Sequence, residues 1–205
     1  MDGRSARKRQ AIMDAATELF LANGYQGTSM DEIAALAEVS KQTVYKNFAD
    51  KQQLFAEIVL GTAARADEFV RAIPGVLADA PDVEAGLRTL ARRYLAAVMR
   101  PELLQLRRLV ISEAGHFPDL ARDYYKRAPD HVMATLAAQF GDLSEKGLLD
   151  LDDPDAAASH YAFLVLGHPL DRAMFLGAEC GLTPTAMNKH ADAAVGVFLA
   201  AYRPD

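Results

Sequence analysis

The sequence predicts an all-α protein of about nine to ten helices. Its 205 residues are 51% hydrophobic and 24% charged, which is typical of a chain that folds around an apolar core. Alanine, leucine, glutamate, arginine and methionine dominate, and no stretch alternates β-branched or aromatic residues with polar ones as a half-buried strand does. Glycine and proline punctuate the helical stretches.

The first predicted helix runs from about Ser5 to Asn23. Gly24 follows it, and a glycine in the left-handed conformation commonly ends a helix. The apolar residues of this helix share one face, at the spacing of Ile12, Ala15, Ala16, Leu19 and Phe20.

Two short helices joined by a tight turn are predicted next. We expect Thr28 to be the N-cap of the second helix, with Asp31 returning a hydrogen bond. We expect Ser40 to cap the third helix, in which Val44 and Phe48 share one side. Two such short helices bury little by themselves, so the helices on either side must pack against them.

A fourth helix is predicted to begin after Asp50, with Gln53 completing a capping pattern, and to continue to about Ala72. Two prolines and a glycine between residues 73 and 82 predict a break in the chain there.

The rest of the chain predicts six further helices, each bounded by Pro, Gly or Asp. Their expected ranges are Val83–Met99, Glu102–His116, Asp119–Lys126, His131–Lys146, Pro154–Leu176 and Thr185–Tyr202. We therefore divide the chain into an N-terminal three-helix helix-turn-helix domain, residues 1–55, and a larger C-terminal helical bundle, residues 56–205.

The net charge of −6 is unevenly distributed along the chain. Residues 1–51 contain seven basic and seven acidic residues, so the remainder carries the whole negative charge. Four of these bases lie between Arg4 and Arg9, and three lie between Lys41 and Lys51. Grouped basic residues are typical of a nucleic-acid contact surface. The sequence predicts a basic face on an acidic protein.

The third helix has the composition of a helix that enters the major groove of DNA. Such a helix carries small, polar and cationic residues near its start and apolar anchors only on its back. We expect Lys41, Gln42 and Thr43 to meet base edges and the flanking polar residues to contact phosphates. The predicted DNA-binding residues are Thr28, Ser29, Ser40, Lys41, Gln42, Thr43, Tyr45, Lys46, Asn47 and Lys51. By itself, the Lys/Gln/Thr run is equally typical of a solvated helix face.

The order of residues from Gly27 to Phe48, followed by Lys51, resembles the DNA-binding domain of the TetR family. The resemblance includes the end of the preceding helix at Phe20 and the Gly24-Tyr25 pair, and it covers about residues 8–60. It implies that double-stranded operator DNA is a partner of the chain.

One residue departs from the family pattern, and one segment corresponds to a part of the family that is variable. Asn47 stands where the family more often has His or Tyr, so we expect an altered phosphate contact at this position. The basic segment Arg4–Arg9 resembles the variable N-terminal extensions of the family. Two alternatives stay open for it: the segment follows the minor groove of DNA, or it is disordered.

The same resemblance implies that the C-terminal domain dimerises through its last two long helices and encloses a small-molecule pocket. The run Leu106–Ala121 resembles the AefR-like C-terminal domain of some TetR proteins. The last two helices are too apolar for lone surface helices, although an intrachain core accounts for part of their apolar residues. The predicted dimer-interface residues are Tyr161, Leu164, His168, Phe175, Val195 and Phe198.

The aromatic and methionine residues of the middle helices are candidates for the wall of the pocket, and plain core packing is the alternative for each. These candidates are Phe69, Tyr94, Met99, Phe117, Tyr124, Met133, Phe140 and Phe163.

We therefore expect a transcriptional regulator, most simply a repressor that binds a palindromic operator as a homodimer and is released by a small-molecule effector. The effector, the operator and the sign of regulation stay open. The alternative from another class is a helical adaptor whose helix-turn-helix no longer binds DNA. An enzyme is not expected, because the chain has no nucleophile elbow, Walker loop or Cys/His pair.

Composition also bears on location and on cofactors. No apolar run approaches the roughly 18 residues that span a bilayer, and no apolar stretch follows the polar start as in a secretory signal. We expect a cytoplasmic protein with no membrane partner. The single cysteine, Cys180, has no second cysteine to pair with, and the five histidines lack metal-ligand spacing, so neither a metal nor a cofactor is expected.

Overall fold

The computed structural model describes residues 3–64, 66–177 and 182–204. Within these ranges the chain forms helices and no strand, which confirms the predicted all-α fold class. A π-helical turn covers Lys126–Asp130. The described α-helices are α1 (Gly3–Asn23), α2 (Met30–Leu36), α3 (Lys41–Asn47), α4 (Lys51–Ala63), α5 (Ala66–Ala78), α6 (Val83–Val98), α7 (Pro101–Glu113), α8 (Pro118–Tyr125), α9 (His131–Glu145), α10 (Pro154–Leu176) and α11 (Pro184–Tyr202).

The break that follows the fourth helix was predicted between residues 73 and 82, and in the structure it lies earlier, between α4 and α5. Helix α4 ends at Ala63, and α5 continues through Pro74 as far as Ala78. Proline removes a hydrogen bond from a helix interior. Burial of Val70 and Ile73 against the core explains why α5 nevertheless persists, because tertiary packing outweighs local propensity.

The N-cap of α2 is Ser29, so the prediction of Thr28 with Asp31 was wrong by one residue. The Ser29 backbone is extended, and its hydroxyl accepts a hydrogen bond from the Glu32 amide at 3.2 Å. The Glu32 carboxylate in turn accepts one from the Ser29 amide at 2.8 Å. Ser40 caps α3 as predicted, and Asp50 accepts from the Gln53 amide at the start of α4.

The chain divides into two compact units. Unit 1 comprises Met1–Ala63 and Gln105–Tyr124, and unit 2 comprises Ala64–Leu104 and Tyr125–Asp205. The boundary predicted between residues 55 and 56 falls inside α4, which belongs wholly to unit 1. Unit 1 also contains most of α7 and α8, which a division into two consecutive segments does not anticipate.

Unit 1 is built around α1, which packs against α2, α3 and α4. Ile12 and Phe20 of α1 are fully buried, as are Ile33 of α2, Val44 of α3 and Leu54 of α4. One apolar face from each short helix is enough to close this core, which leaves the other faces of α2 and α3 in solvent.

Unit 2 has the larger apolar core. Helix α10 packs against α9 and α11, α11 packs against α6, and α5 packs against α6 and α9. Phe140, Tyr161 and Phe198 meet at its centre, with ring centroids 5.3–5.4 Å apart. The buried Tyr161 hydroxyl donates to the Leu87 carbonyl at 2.7 Å, so its polar atom is paired. Burial strongly raises the pKa of Tyr161.

Candidate nucleic-acid interface

Helix α3 presents a polar face to solvent. Its back is anchored by Val44 and by Phe48 just beyond its end, which are 0% and 1% exposed. On the opposite side lie four of the predicted DNA-binding residues, all exposed: Lys41, Gln42, Tyr45 and Lys46. A short helix with apolar anchors behind and long polar side chains in front suits insertion into the major groove.

The turn between α2 and α3 is fixed by an unusual backbone conformation. Glu38 has a φ of 52°, in the left-handed region that glycine adopts without penalty. The amides of Glu38 and Val39 donate to the carbonyls of Ala35 and Ala34, which closes the turn. For a residue with a Cβ this conformation costs about 1 kcal/mol. The core of unit 1 therefore holds α3 in its orientation at some local cost.

The Thr28 side chain points inward, which corrects its predicted role at the DNA surface. It is 2% exposed, and its hydroxyl lies 2.9 Å from the Gly24 carbonyl and 3.1 Å from the Leu19 carbonyl. This hydroxyl fastens the start of α2 to the end of α1. A side chain so buried is not accessible to a phosphate.

The Lys51 ammonium is engaged in the same turn. It donates to the carbonyls of Tyr25 and Thr28, both at 2.8 Å, and lies 4.3 Å from the centre of the Tyr25 ring. An ammonium has three N–H groups, so one remains for a further acceptor. The structure therefore gives Lys51 an intrachain role beside the predicted phosphate contact.

The other predicted polar residues have partners within their own helices. The Ser29 hydroxyl belongs to the capping box of α2, and the Ser40 and Thr43 hydroxyls lie 2.8 Å apart. The Asn47 amide donates to the Thr43 carbonyl at 2.8 Å. This contact accounts for Asn47 locally, at the position where the sequence departs from the family pattern.

Charges near the start of α2 and α3 are paired. Lys41 forms an ion pair with Asp31, whose hydrogen bond and charge raise the pKa of the lysine. The Ser29 hydroxyl and amide lower the pKa of Glu32 by hydrogen bonding to its carboxylate. Asp31 and Glu32 were not among the predicted site residues, although their sequence proximity to the cap is a signal for both.

The basic N-terminal segment belongs to α1, which is helical from Gly3 onward. Arg9 forms an ion pair with Glu57 of α4 and places its guanidinium 4.8 Å from the centre of the Phe48 ring. Arg9 belongs to the group of bases predicted from the sequence, and its partner Glu57 was not predicted. Arg4 and Lys8 remain exposed along the first turns of α1.

An aromatic cluster links the α7–α8 connection to the helix-turn-helix within unit 1. Phe117 meets Tyr25 edge to face with centroids 4.7 Å apart, and it lies 5.8 Å from Phe55. Burial raises the pKa of Tyr25, and the charges of Asp50 and Glu113 add to this rise. Phe117 was predicted as a pocket residue, but its described ring contacts are with this cluster.

The remaining pocket candidates occupy three kinds of position. Phe69 stacks on Tyr94 at 5.1 Å, and Met99 and Met133 pack partly buried against the core of unit 2. Phe140 is fully buried in that core and Tyr124 is buried in unit 1. Phe163 is 74% exposed, so its assignment to a pocket wall was wrong.

The predicted dimer residues lie on different faces of their helices, some toward the core and some toward solvent. Tyr161, Val195 and Phe198 lie in the core of unit 2, so their assignment to a surface was wrong. Leu164 is partly buried, whereas His168 and Phe175 are exposed. One residue changes direction by about 100° on a helix, and an apolar run around the whole helix does not reveal which face is inward.

A groove of about 460 Å³ lies between α5 and α6 in unit 2. Val76, Pro81 and Ala85 contribute apolar surface to it, and Asp79 and Arg93 contribute charges. None of the predicted pocket residues lines this groove.

Two further findings concern metals and membranes. In the part of the chain that the structure describes, no group of three or more His, Cys, Asp or Glu residues is arranged to hold a metal ion. Across the same residues, no helix has the length and apolarity required to cross a membrane. Cys180 lies outside the described residues.

Comparison with known proteins gives matches along nearly the whole chain. Residues 12–58 match the family of bacterial regulatory proteins called tetR, and residues 85–204 match the C-terminal domain of AefR-like transcriptional repressors. A TetR-family regulator of Mesorhizobium loti is 44% identical, with 98% of this chain and 100% of that chain covered and a TM-score of 0.88.

Two other relatives bear on function. The flavonoid-responsive regulator FrrA is 34% identical, with 97% of this chain and 98% of that chain covered and a TM-score of 0.75. The transcriptional regulator YhgD of Bacillus subtilis is 44% identical over 54 residues, which are 26% of this chain. That match spans only 28% of the length of YhgD.

Proposed function

Because the chain belongs to the TetR family of helix-turn-helix transcriptional regulators, we propose that it is a repressor that binds a palindromic operator as a homodimer and leaves it when a small molecule binds. The proteins of this family are regulators, not enzymes. The exposed polar face of α3 is the observation that carries the proposal. Repression of a neighbouring gene would take place in the cytoplasm.

In the proposed complex, α3 enters the major groove. Lys41 and Gln42, near its start, donate to base edges, while Tyr45 and Lys46 contact phosphates. Lys46 and Gln42 suit these roles because both are exposed and neither is engaged by another described residue. The helix is held rigidly by Val44 and Phe48, so its polar side chains are presented without refolding.

The proposed homodimer forms through α10 and α11. Phe163, Phe175 and Val197 expose 74%, 79% and 58% of their surface, which is unusual for large apolar side chains. Gly196 and Ala193 lie exposed on α11 and permit close approach of another helix. A second copy of the chain offers the same apolar surface. In the resulting dimer, the α3 helices of the two copies would be about 34–36 Å apart, which is one turn of DNA.

Ultracentrifugation tests the homodimer. Phe163→Glu and Val197→Glu should each give a monomer with unchanged helical content, because a charge would be buried between the copies. Ile111→Glu is the matched control, since Ile111 is 61% exposed but lies on α7. A dimer that persists in both variants contradicts the proposed surface.

We propose a planar aromatic effector bound in unit 2. The similarity to FrrA supports this class of ligand. The Phe69 and Tyr94 rings stack on each other with Tyr94 5% exposed, so they would contact the ligand if it entered the core between α5 and α6. Helix α7, Pro101–Glu113, begins in unit 2 and ends in unit 1.

Gel-shift titration on the promoter of its own gene tests the whole proposal. We expect salt-sensitive binding to a palindromic site and release by at least one member of a flavonoid panel. Lys46→Ala combined with Tyr45→Ala should abolish binding, while the Arg93→Ala control should not. Absence of binding at any protein concentration, or equal binding by the double variant, contradicts DNA recognition by α3.

A further inference from the structure

A solvent-exposed ion pair joins the two helices of the helix-turn-helix. The ammonium of Lys41, the first residue of α3, lies 2.7 Å from one carboxylate oxygen of Asp31 and 3.0 Å from the other. Asp31 lies in the first turn of α2. The two side chains are 59% and 65% exposed. Such an exposed pair contributes little to folding, so its removal should leave the fold intact.

We propose that Asp31 is a selectivity residue, whose carboxylate holds the Lys41 ammonium and keeps this cation from binding the phosphates of non-operator DNA. This inference rests on the proposed DNA-binding function. On the operator, Lys41 keeps Asp31 and donates its remaining N–H to a base edge, whereas it must leave Asp31 to reach a phosphate.

The charges around α2 and α3 support this role. Residues 28–51 contain four acidic and three basic residues. Lys51 is engaged by two carbonyls, and Lys46 lies in the last turn of α3. Lys41 is therefore the cation at the base-facing start of α3, and Asp31 neutralises it.

The position of α2 explains why Asp31 disfavours a phosphate contact of Lys41 more than a base contact. In helix-turn-helix complexes the first helix crosses the phosphate backbone and the second enters the groove. If Lys41 moves to a phosphate, one ion pair replaces another and the Asp31 carboxylate is left unpaired near the backbone. If Lys41 instead keeps Asp31 and donates its remaining N–H to guanine O6 or N7, no ion pair is broken and the new hydrogen bond depends on sequence. Asp31 thus penalises the phosphate contact and not the base contact.

The test compares wild type with Asp31→Asn on an operator selected from random DNA and on a random-sequence duplex of equal length. At about 0.1 M salt, freeing one cation per subunit should tighten random-duplex binding roughly five- to tenfold per subunit, with a salt slope steeper by about one per subunit. Operator binding should tighten less, so the ratio of the two affinities falls. Asp31→Ser should act in the same way and guards against a folding effect of either variant.

Two controls separate the ion pair from a general charge effect. Glu38→Gln removes one negative charge from the adjacent turn and should change random-duplex affinity much less than Asp31→Asn does. In a Lys41→Gln background, Asp31→Asn should have little effect on either duplex. Equal effects of Glu38→Gln and Asp31→Asn, or an undiminished effect in the Lys41→Gln background, would overturn the proposal. Failure of wild type to bind either duplex would instead refute DNA binding itself.

Discussion

The two units use polar side chains in different ways. In unit 1, the Thr28 hydroxyl and the Lys51 ammonium bind backbone carbonyls and hold the turn before α2. In unit 2, stability rests on a broad apolar core whose central hydroxyl, that of Tyr161, has one carbonyl partner. The identity of single polar residues therefore matters most in unit 1, whereas the filling of volume in the core matters most in unit 2.

The largest effect should follow from removing volume in unit 2. Phe198→Ala should lower the free energy of unfolding by about 3–5 kcal/mol, because Phe198 is 1% exposed and packs on Phe140 and Tyr161. Because Phe163 lies on the proposed dimer surface, its matched change is made in the monomeric Val197→Glu background, where Phe163→Ala should change the free energy of unfolding by less than about 0.5 kcal/mol. Urea unfolding of both variants measures this; equal losses would contradict the assigned helical phase.

The next effect concerns a close approach in unit 1. A Cβ at Gly27 would lie 2.4 Å from the Asn23 carbonyl oxygen, so Gly27→Ala should destabilise unit 1 by about 1–3 kcal/mol. Gly61→Ala meets open space in α4 and should stabilise the unit by up to about 1 kcal/mol. Hydrogen exchange of α1–α4 amides reports on both. Opposite signs are expected, and losses in both variants would show that the close approach is not the cause.

Loss of the Lys51 hydrogen bonds should have a moderate effect. Lys51→Met keeps the length of the side chain but leaves the Tyr25 and Thr28 carbonyls to water, which should destabilise unit 1 by about 1–2 kcal/mol. Thermal unfolding followed by circular dichroism measures this loss. A melting temperature equal to that of wild type would mean that the ammonium does not hold the turn.

Relief of strain in the helix-turn-helix turn should give a smaller gain. Glu38→Gly removes the penalty of a left-handed residue at a φ of 52° and should stabilise the turn by up to about 1 kcal/mol. Greater flexibility of the unfolded chain offsets part of this gain. Denaturant midpoints decide the sign, and a clear decrease in stability would show that Glu38 makes a compensating contact.

The smallest effect should appear at acid pH. The pKa of Glu32 lies below its ordinary value because the carboxylate accepts hydrogen bonds from Ser29. A lowered pKa in the folded state gives stability that is present above the ordinary pKa and is lost as the pH falls through the lowered one. Glu32→Gln keeps a hydrogen-bond acceptor without the charge, so the stability of this variant should depend less on pH over the acid range. Melting temperatures between about pH 6 and pH 3 test it.

The sequence was sufficient for the all-α class and for most helix bounds. Pro154–Leu176 is predicted and observed with the same ends, since Asp153 and Pro154 mark its start. The Ser40 cap and the exposed face of α3 also follow from local pattern. The Thr28 error has a physical cause: both Thr28 and Ser29 are good caps, and the turn that follows Gly24 decides which one points inward.

Other features depend on contacts distant in sequence. Tyr161 and Phe163 are both aromatic and two positions apart, and only packing against α6 and α11 decides that the first is buried. Phe117 joins an aromatic cluster with Tyr25 and Phe55, far earlier in the chain. Pattern on a single helix carries no signal for such partners.

The salt dependence of operator binding by Lys46→Met, measured by fluorescence anisotropy, tests DNA recognition by α3 most directly. Lys46 is exposed on α3 and holds no turn, so the variant should melt like wild type. Its operator affinity should fall, with a salt slope shallower by about one per subunit. Unchanged affinity and slope would contradict the claim that the outward face of α3 contacts DNA.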